Sequence, residues 1–158
     1  MWISRIPVPV EINASAHADD DFSKNKSIAE LTDWNIYSPV WAPVSLEDQW
    51  LKLQDKDPFD YAKVERKIPA SKELKVSFDL KAGQNNKGTL QIEFLDENGI
   101  ACSRMELTDD GIFRLKGGSR FANMMKYEAG KIYHVEAVLS TVDRNIQVYV
   151  DGKRVGLR

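Results

Sequence analysis

The chain has 158 residues, 42% hydrophobic and 29% charged, with a net charge of -2. That is enough chain to bury a core, and too apolar a composition for a disordered polypeptide. With 22 basic against 24 acidic residues it lacks the cationic excess of a nucleic-acid binder, and no apolar run reaches the ~20 residues of a membrane span, so neither kind of partner is expected. The single cysteine, Cys102, excludes an internal disulfide and a cysteine-built zinc cage. It sits among strand residues and is expected to be a buried, inert thiol.

Residues 1–18 read as a linker or the end of a preceding domain, and 19–158 as one β-sandwich domain. The opening MWISRIPVPVEINASAHADDDF has neither the basic start nor the long apolar stretch of a secretory leader. Its prolines at 7 and 9 favour an extended, stiff segment over a helix. The run Met1-Trp2-Ile3-Ser4-Arg5-Ile6-Pro7 resembles the final strand and exit linker of sialidase-like β-propellers. That resemblance implies a C-terminal module following a propeller; an ordinary edge strand is the alternative.

Further along, Asp19 to Phe22 is read as the start of the first sandwich strand. Ser27 to Leu31 is read as one helical turn with Ser27 as cap and Glu30 at its third position. Trp34 to Tyr37 is a short aromatic strand. Pro39 and Pro43 bracket Trp41 and confine that stretch to an edge or loop. Trp50 to Gln54 and Tyr61 to Ile68 read as strands. Leu74, Val76, Phe78 and Leu80 alternate with polar residues, as do Leu90, Ile92 and Phe94. Turns follow at Asn98-Gly99, Asp110-Gly111 and Gly117-Gly118. No fixed-period repeat is present, which argues against a propeller within the chain.

The segment from Lys131 to Arg154 is the clearest. Tyr133, Val135, Ala137 and Leu139 alternate with His134 and Glu136, then Ile146, Val148 and Val150 with Gln147 and Tyr149. A polar connection joins them, and Asp151-Gly152 suits a type I′ turn into a last short strand with Val155 and Leu157. This closing hairpin resembles that of laminin-G-like, concanavalin-A-like jelly rolls, which are often appended to bacterial polysaccharide-degrading enzymes. The expected fold is all-β: a two-sheet antiparallel sandwich. Its inward set is Leu74, Val76, Phe78, Leu80, Leu90, Ile92, Phe94, Val135, Ala137, Leu139, Ile146, Val148 and Val150.

The chemistry is less specific. No Gly-x-Ser-x-Gly elbow accompanies the two histidines, and His134 is read as a structural or surface residue. Glu93 and Asp96 are three apart and so point to opposite faces, unlike the alternating carboxylates of jelly-roll glucanases. No catalytic residue is assigned. Asp55, Asp57 and Asp60, or Asp19 to Asp21 with Asp151, are the calcium candidates, but solvated acidic turns are the better reading and no metal ligand is assigned. For sugars, aromatic rings and fixed polar groups are the signal. The aromatic candidates are Trp34, Tyr37, Trp41, Trp50, Tyr61, Tyr127 and Tyr149. Trp41, Tyr61, Lys63, Arg66, Glu93, Arg104 and His134 form the candidate carbohydrate-binding set.

The leading expectation is a non-catalytic accessory module of a larger carbohydrate-active protein. It would bind a polysaccharide or other glycan, or brace a catalytic or propeller domain, outside the cytoplasm. One alternative is a lyase or glycoside hydrolase with a groove lined by Tyr61, Lys63, Glu93, Arg104 and His134. Another is a docking domain with an apolar patch around Trp2, Pro7, Trp41 and Met124-Met125.

Overall fold

A computed structural model describes residues 17–117 and 119–156. The readings on Trp2, Pro7, Leu157 and Gly118 lie outside the described residues. The chain divides into two compact units, one ending at Pro69 and one starting at Ala70.

In the first unit, Asp19 to Phe22 is not a strand. Phe22 adopts φ 56°, which no strand residue holds, and the Asp21 carboxylate accepts hydrogen bonds from the backbone N–H and hydroxyl of Ser23. The helical turn is a single 3-10 turn, Ile28–Glu30. Its Ser27 side chain makes no capping bond; Glu30 accepts instead from the Lys26 N–H at 2.9 Å. Strand β1 (Trp34–Tyr37) pairs antiparallel with β4 (Lys63–Arg66), with Trp34 opposite Arg66 and Tyr37 opposite Lys63. Between them in sequence, β2 (Val44–Glu47) and β3 (Trp50–Leu53) make a hairpin. Its two turn residues, Asp48 and Gln49, have φ 50° and 67°, the paired left-handed geometry of a type I′ turn. Leu31, Ala42 and Val44 are the buried apolar residues among those described in this unit.

The second unit is the sandwich. One sheet is an antiparallel meander in the order β6 (Leu90–Leu95), β7 (Ala101–Leu107), β8 (Ile112–Gly117), β9 (Arg120–Lys126). The other has the order β12-β11-β10-β5, from β5 (Glu73–Lys81), β10 (Ile132–Ser140), β11 (Asn145–Val150) and β12 (Lys153–Val155). The long-range pairing of β5 with β10 runs from Ile132 opposite Lys81 to Ser140 opposite Glu73. The Asp151-Gly152 turn has φ 50° and 75°, as its sequence predicts.

The core forms because each strand alternates. Tyr133, Val135, Ala137 and Leu139 of β10, with Val148 and Val150 of β11, meet Met105, Leu107 and Phe113 of the other sheet. The expected inward residues all belong to this cluster except Val76, which is half-buried on the same parity of β5. Met105, Leu107, Phe113, Tyr127 and Tyr133 are its other buried members. Cys102, expected buried, is exposed. The inward parity of β7 belongs to Ser103, Met105 and Leu107, so Cys102 points outward, with its Sγ 3.0 Å from the Phe94 carbonyl beside a bulge at Phe94/Leu95.

Candidate functional site

Two surfaces collect the chemistry, one in each unit. In the first unit, β1 ends on Tyr37, and the segment leading into β4 carries Tyr61. Their rings lie 5.4 Å apart at 46°. The Tyr37 hydroxyl donates to Asp60 at 3.3 Å, and that bond pushes the phenol pKa up. Asp60 also accepts the Tyr61 N–H at 2.9 Å. Trp41 is 66% exposed, but its backbone is strapped down. The Ala42 N–H donates to the Pro39 carbonyl, the Lys56 N–H to the Trp41 carbonyl, and the Val44 N–H to Ser38 Oγ. The Lys56 bond ties the Trp41 loop to the 55–60 loop, which holds Phe59 at 96% exposure. Tyr37, Trp41, Phe59 and Tyr61 thus sit on two joined segments at one end of the β1–β4 pair.

The acidic residues beside them have structural partners. Asp55 accepts the Asp57 N–H and Asp57 accepts the Phe59 N–H, both at 2.9 Å, so these carboxylates shape the loop. Asp20 pairs with Arg66 at 3.2 Å, and Asp151 accepts the His134 N–H at 3.0 Å. Among the described residues no group of three or more His, Cys, Asp or Glu is arranged to hold a metal ion. Lys63 pairs with Glu65 at 3.4 Å. Arg66 is an internal clamp: besides Asp20 it holds the Asp33 carbonyl at 3.1 Å and carboxylate at 3.3 Å, and its side chain is 13% exposed.

In the second unit, the outer face of the β6–β9 sheet carries two adjacent rows. Register places Glu93, Arg104, Lys116 and Phe121 side by side across four strands, and Gln91, Glu106, Arg114 and Asn123 beside them. Arg104 reaches Glu93 with Nη2 at 2.5 Å and Nε at 2.6 Å, and Glu106 with Nη1 at 3.4 Å. Bonding to Glu93 first, and to Glu106, raises the guanidinium pKa. Arg114 joins Asp110 to Asn123. Asp110 is held below the usual carboxylate range by the Thr108 hydroxyl, with Arg114 adding to it.

The candidate residues therefore fall in three places. Trp41, Tyr61, Lys63 and Arg66 lie in the first unit, and Glu93 and Arg104 on the β6–β9 face. His134 lies on the outer face of the other sheet, bonded to Asp79 at 2.8 Å. The sandwich core separates His134 from Glu93 and Arg104, so these three do not line one groove. Met124 and Met125 pack against the core rather than forming an exposed patch. Trp34 packs its ring on Phe22 at 5.9 Å, and Tyr127 is buried. Phe59, Glu106, Arg114, Lys116 and Phe121 are the residues that reading the sequence missed. For all but Phe59, laying the strands in antiparallel register would have found them.

The architecture is an antiparallel β-sandwich with outward aromatic and polar surfaces, and the family whose model it matches is one of carbohydrate-binding modules. Residues 34–158 match the family model described as "Sialidase-like, CBM domain", and the chain belongs to that family. It is also similar to a solved structure described as "Sialidase", with 89% identity and a TM-score of 0.92 over 98% of this chain. The chain spans 14% of that protein's length. No curated protein matches it.

Proposed function

We propose that the chain binds a glycan through its aromatic end and serves as an accessory module of a larger, extracytoplasmic carbohydrate-active protein. The observation that carries this reading is the set of four outward rings, Tyr37, Trp41, Phe59 and Tyr61, on segments fixed by backbone bonds. Sugars present apolar C–H faces that stack on such rings, and a pre-ordered loop lowers the ordering cost of binding. Lys63, opposite Tyr37 in the register, supplies a donor beside the platform. The full-length similarity to part of a "Sialidase" supports a parent of that type, and the propeller-like start supports a place after a propeller, with residues 1–18 as the connection. The finer assignment to concanavalin-A-like, laminin-G-like jelly rolls rests on the closing hairpin.

Affinity gel electrophoresis against neutral and acidic polysaccharides, with and without EDTA, tests the reading. Retardation by at least one polymer is expected, without EDTA sensitivity, and it should be markedly weakened in a Trp41→Ala/Tyr61→Ala double variant. Retardation of unchanged strength in the double variant would move the site off this end. No retardation by any polymer would remove the binding role.

A further inference from the structure

We infer that the outer face of the β6–β9 sheet is a second glycan subsite, one that reads the hydroxyl groups of a neutral pyranose. This rests on the reading of the chain as a glycan binder, but not on the aromatic end.

Three observations converge on it. The first is dimension and order. Neighbouring strands lie about 4.8 Å apart, and outward residues on one strand about 7 Å apart, so two rows of four side chains cover roughly 15 by 7 Å. That is the footprint of one or two sugar rings. The groups in it are fixed before any ligand arrives. Arg104 is held between Glu93 and Glu106, and Arg114 between Asp110 and Asn123 Oδ1, the last at 3.1 Å. Glu106, only 8% exposed, anchors the array and takes a further bond from Gln91 at 3.4 Å. Ordered side chains with remaining lone pairs and N–H groups match the alternating donors and acceptors of vicinal hydroxyls.

The second is an apolar wall. Phe121 closes the Glu93 row and is 52% exposed, with Lys116 Nζ 5.1 Å from its ring centre. A ring at the edge of a polar array can take the C–H face of the sugar whose hydroxyls the array reads. Next to it lies a depression of about 110 Å³ lined by Cys102, Arg104 and Lys116 among others.

The third is charge. Arg104, Arg114 and Lys116 are matched by Glu93, Glu106 and Asp110 on or beside the face. Arg104 is already engaged by two carboxylates. A carboxylated sugar would have to displace Glu93 or lie against it, without any net positive field in return. An uncharged ligand meets no such penalty.

The test is a pair of matched titrations, followed by amide correlation spectra of the whole chain. Methyl β-glucopyranoside and methyl β-galactopyranoside are each compared with the corresponding methyl uronide, which differs only in carrying a carboxylate. Saturable shifts are expected at the amides of Arg104, Lys116 and Phe121 with at least one neutral glycoside, with its uronide about tenfold weaker. Phe121→Ala should abolish the shifts, and Phe121→Trp should retain them; both spectra must otherwise superimpose on wild type. Absence of shifts on this face with all four probes, equal or tighter binding of the uronide, or unchanged binding in Phe121→Ala would each overturn the inference. Shifts confined to Tyr37, Trp41 and Tyr61 would remove this subsite and leave the aromatic end standing. Shifts confined to β6–β9 would do the reverse.

Discussion

Tyr127 follows β9 and closes the β7–β8 turn, and its hydroxyl donates to the Thr108 carbonyl at 2.7 Å inside the core. Tyr127→Phe removes that bond and keeps the ring. The cost follows from what the carbonyl retains. Thr108 O also accepts the Gly111 N–H at 3.0 Å, so it is not orphaned. The loss is then the net value of one hydrogen bond, about 1 kcal/mol, rather than the penalty for a stranded acceptor. For a sandwich unit running from Ala70 to Arg158 that corresponds to about 4–8 °C in melting temperature. All four tryptophans precede residue 70, so their fluorescence reports the first unit. Far-UV circular dichroism during denaturant unfolding is dominated by the sandwich, which holds strands β5 to β12. A loss above about 3 kcal/mol would mean that the Gly111 bond does not hold the carbonyl, and no loss would mean that the Tyr127 bond contributes nothing.

The same residue gives an alkaline signature. Burial first, then the charges of Asp110 and Asp109, push the Tyr127 phenol pKa up. A folded-state pKa above the unfolded one means that the contribution is complete below the ordinary phenol value near 10 and is lost as pH rises through the folded value. The stability gap between wild type and Tyr127→Phe should therefore narrow above pH ~10. A gap that stays constant there would refute the assigned environment.

Three further outcomes are expected. Val135 is fully buried, between Val150 and Phe78 in the sheet, so Val135→Ala should cost about 2–3 kcal/mol from lost burial plus the cavity, measured by the same unfolding curves. Asp96 accepts the N–H groups of Ile100 at 2.8 Å and Asn98 at 2.9 Å, which lowers its pKa. Its contribution is present above the unfolded carboxylate value and lost as pH falls through the lower folded one, so Asp96→Ala should be less stable than wild type at neutral pH and converge with it in acid. Arg66→Ala frees Asp20 and Asp33 from β4, and should increase quenching of tryptophan emission by acrylamide through loosening of the Phe22–Trp34 contact.

The sandwich was legible because its strands bury one face each. Period-two alternation marks Leu74 to Leu80 and Tyr133 to Val150 without help from context, and Asp-Gly and Asn-Gly turns punctuate them. The β2–β3 hairpin was not legible as such. Its turn residues, Asp48 and Gln49, take positive φ without a glycine, held by the Glu47–Lys52 pair at 2.8 Å and by the flanking strands. Cys102 was misread because composition places it among strand residues, whereas parity alone decides its face. Asp19 to Phe22 failed for a related reason: Ser23 and Arg66 give its carboxylates local partners that a strand would not offer. The candidate set was read as one group because the sequence does not say which strands share a sheet. Only the pairing of β5 with β10, far apart in sequence, sets His134 on one outer face and Glu93 and Arg104 on the other.

That division has a consequence for how the sandwich carries function. The inward parity of each strand supplies the apolar burial, so the outward parity is free to vary in chemistry without loss of fold. On the β5/β10 sheet the outward residues pair off locally: His134 with Asp79 across strands, and Lys75 with Glu136 at 2.8 Å. On the β6–β9 sheet they join instead into two connected clusters, one of Gln91, Glu93, Arg104 and Glu106 and one of Asp110, Arg114 and Asn123. Isolated exposed pairs contribute little and hold little in place. A connected cluster fixes each member through its neighbours, so replacing one changes the geometry of the others. Substitutions at His134 or Lys75 should consequently be silent in binding, whereas Glu93→Gln should disturb the amides of Arg104 and Glu106 together. The asymmetry between the two faces, rather than any single residue, is what marks the β6–β9 surface as a site.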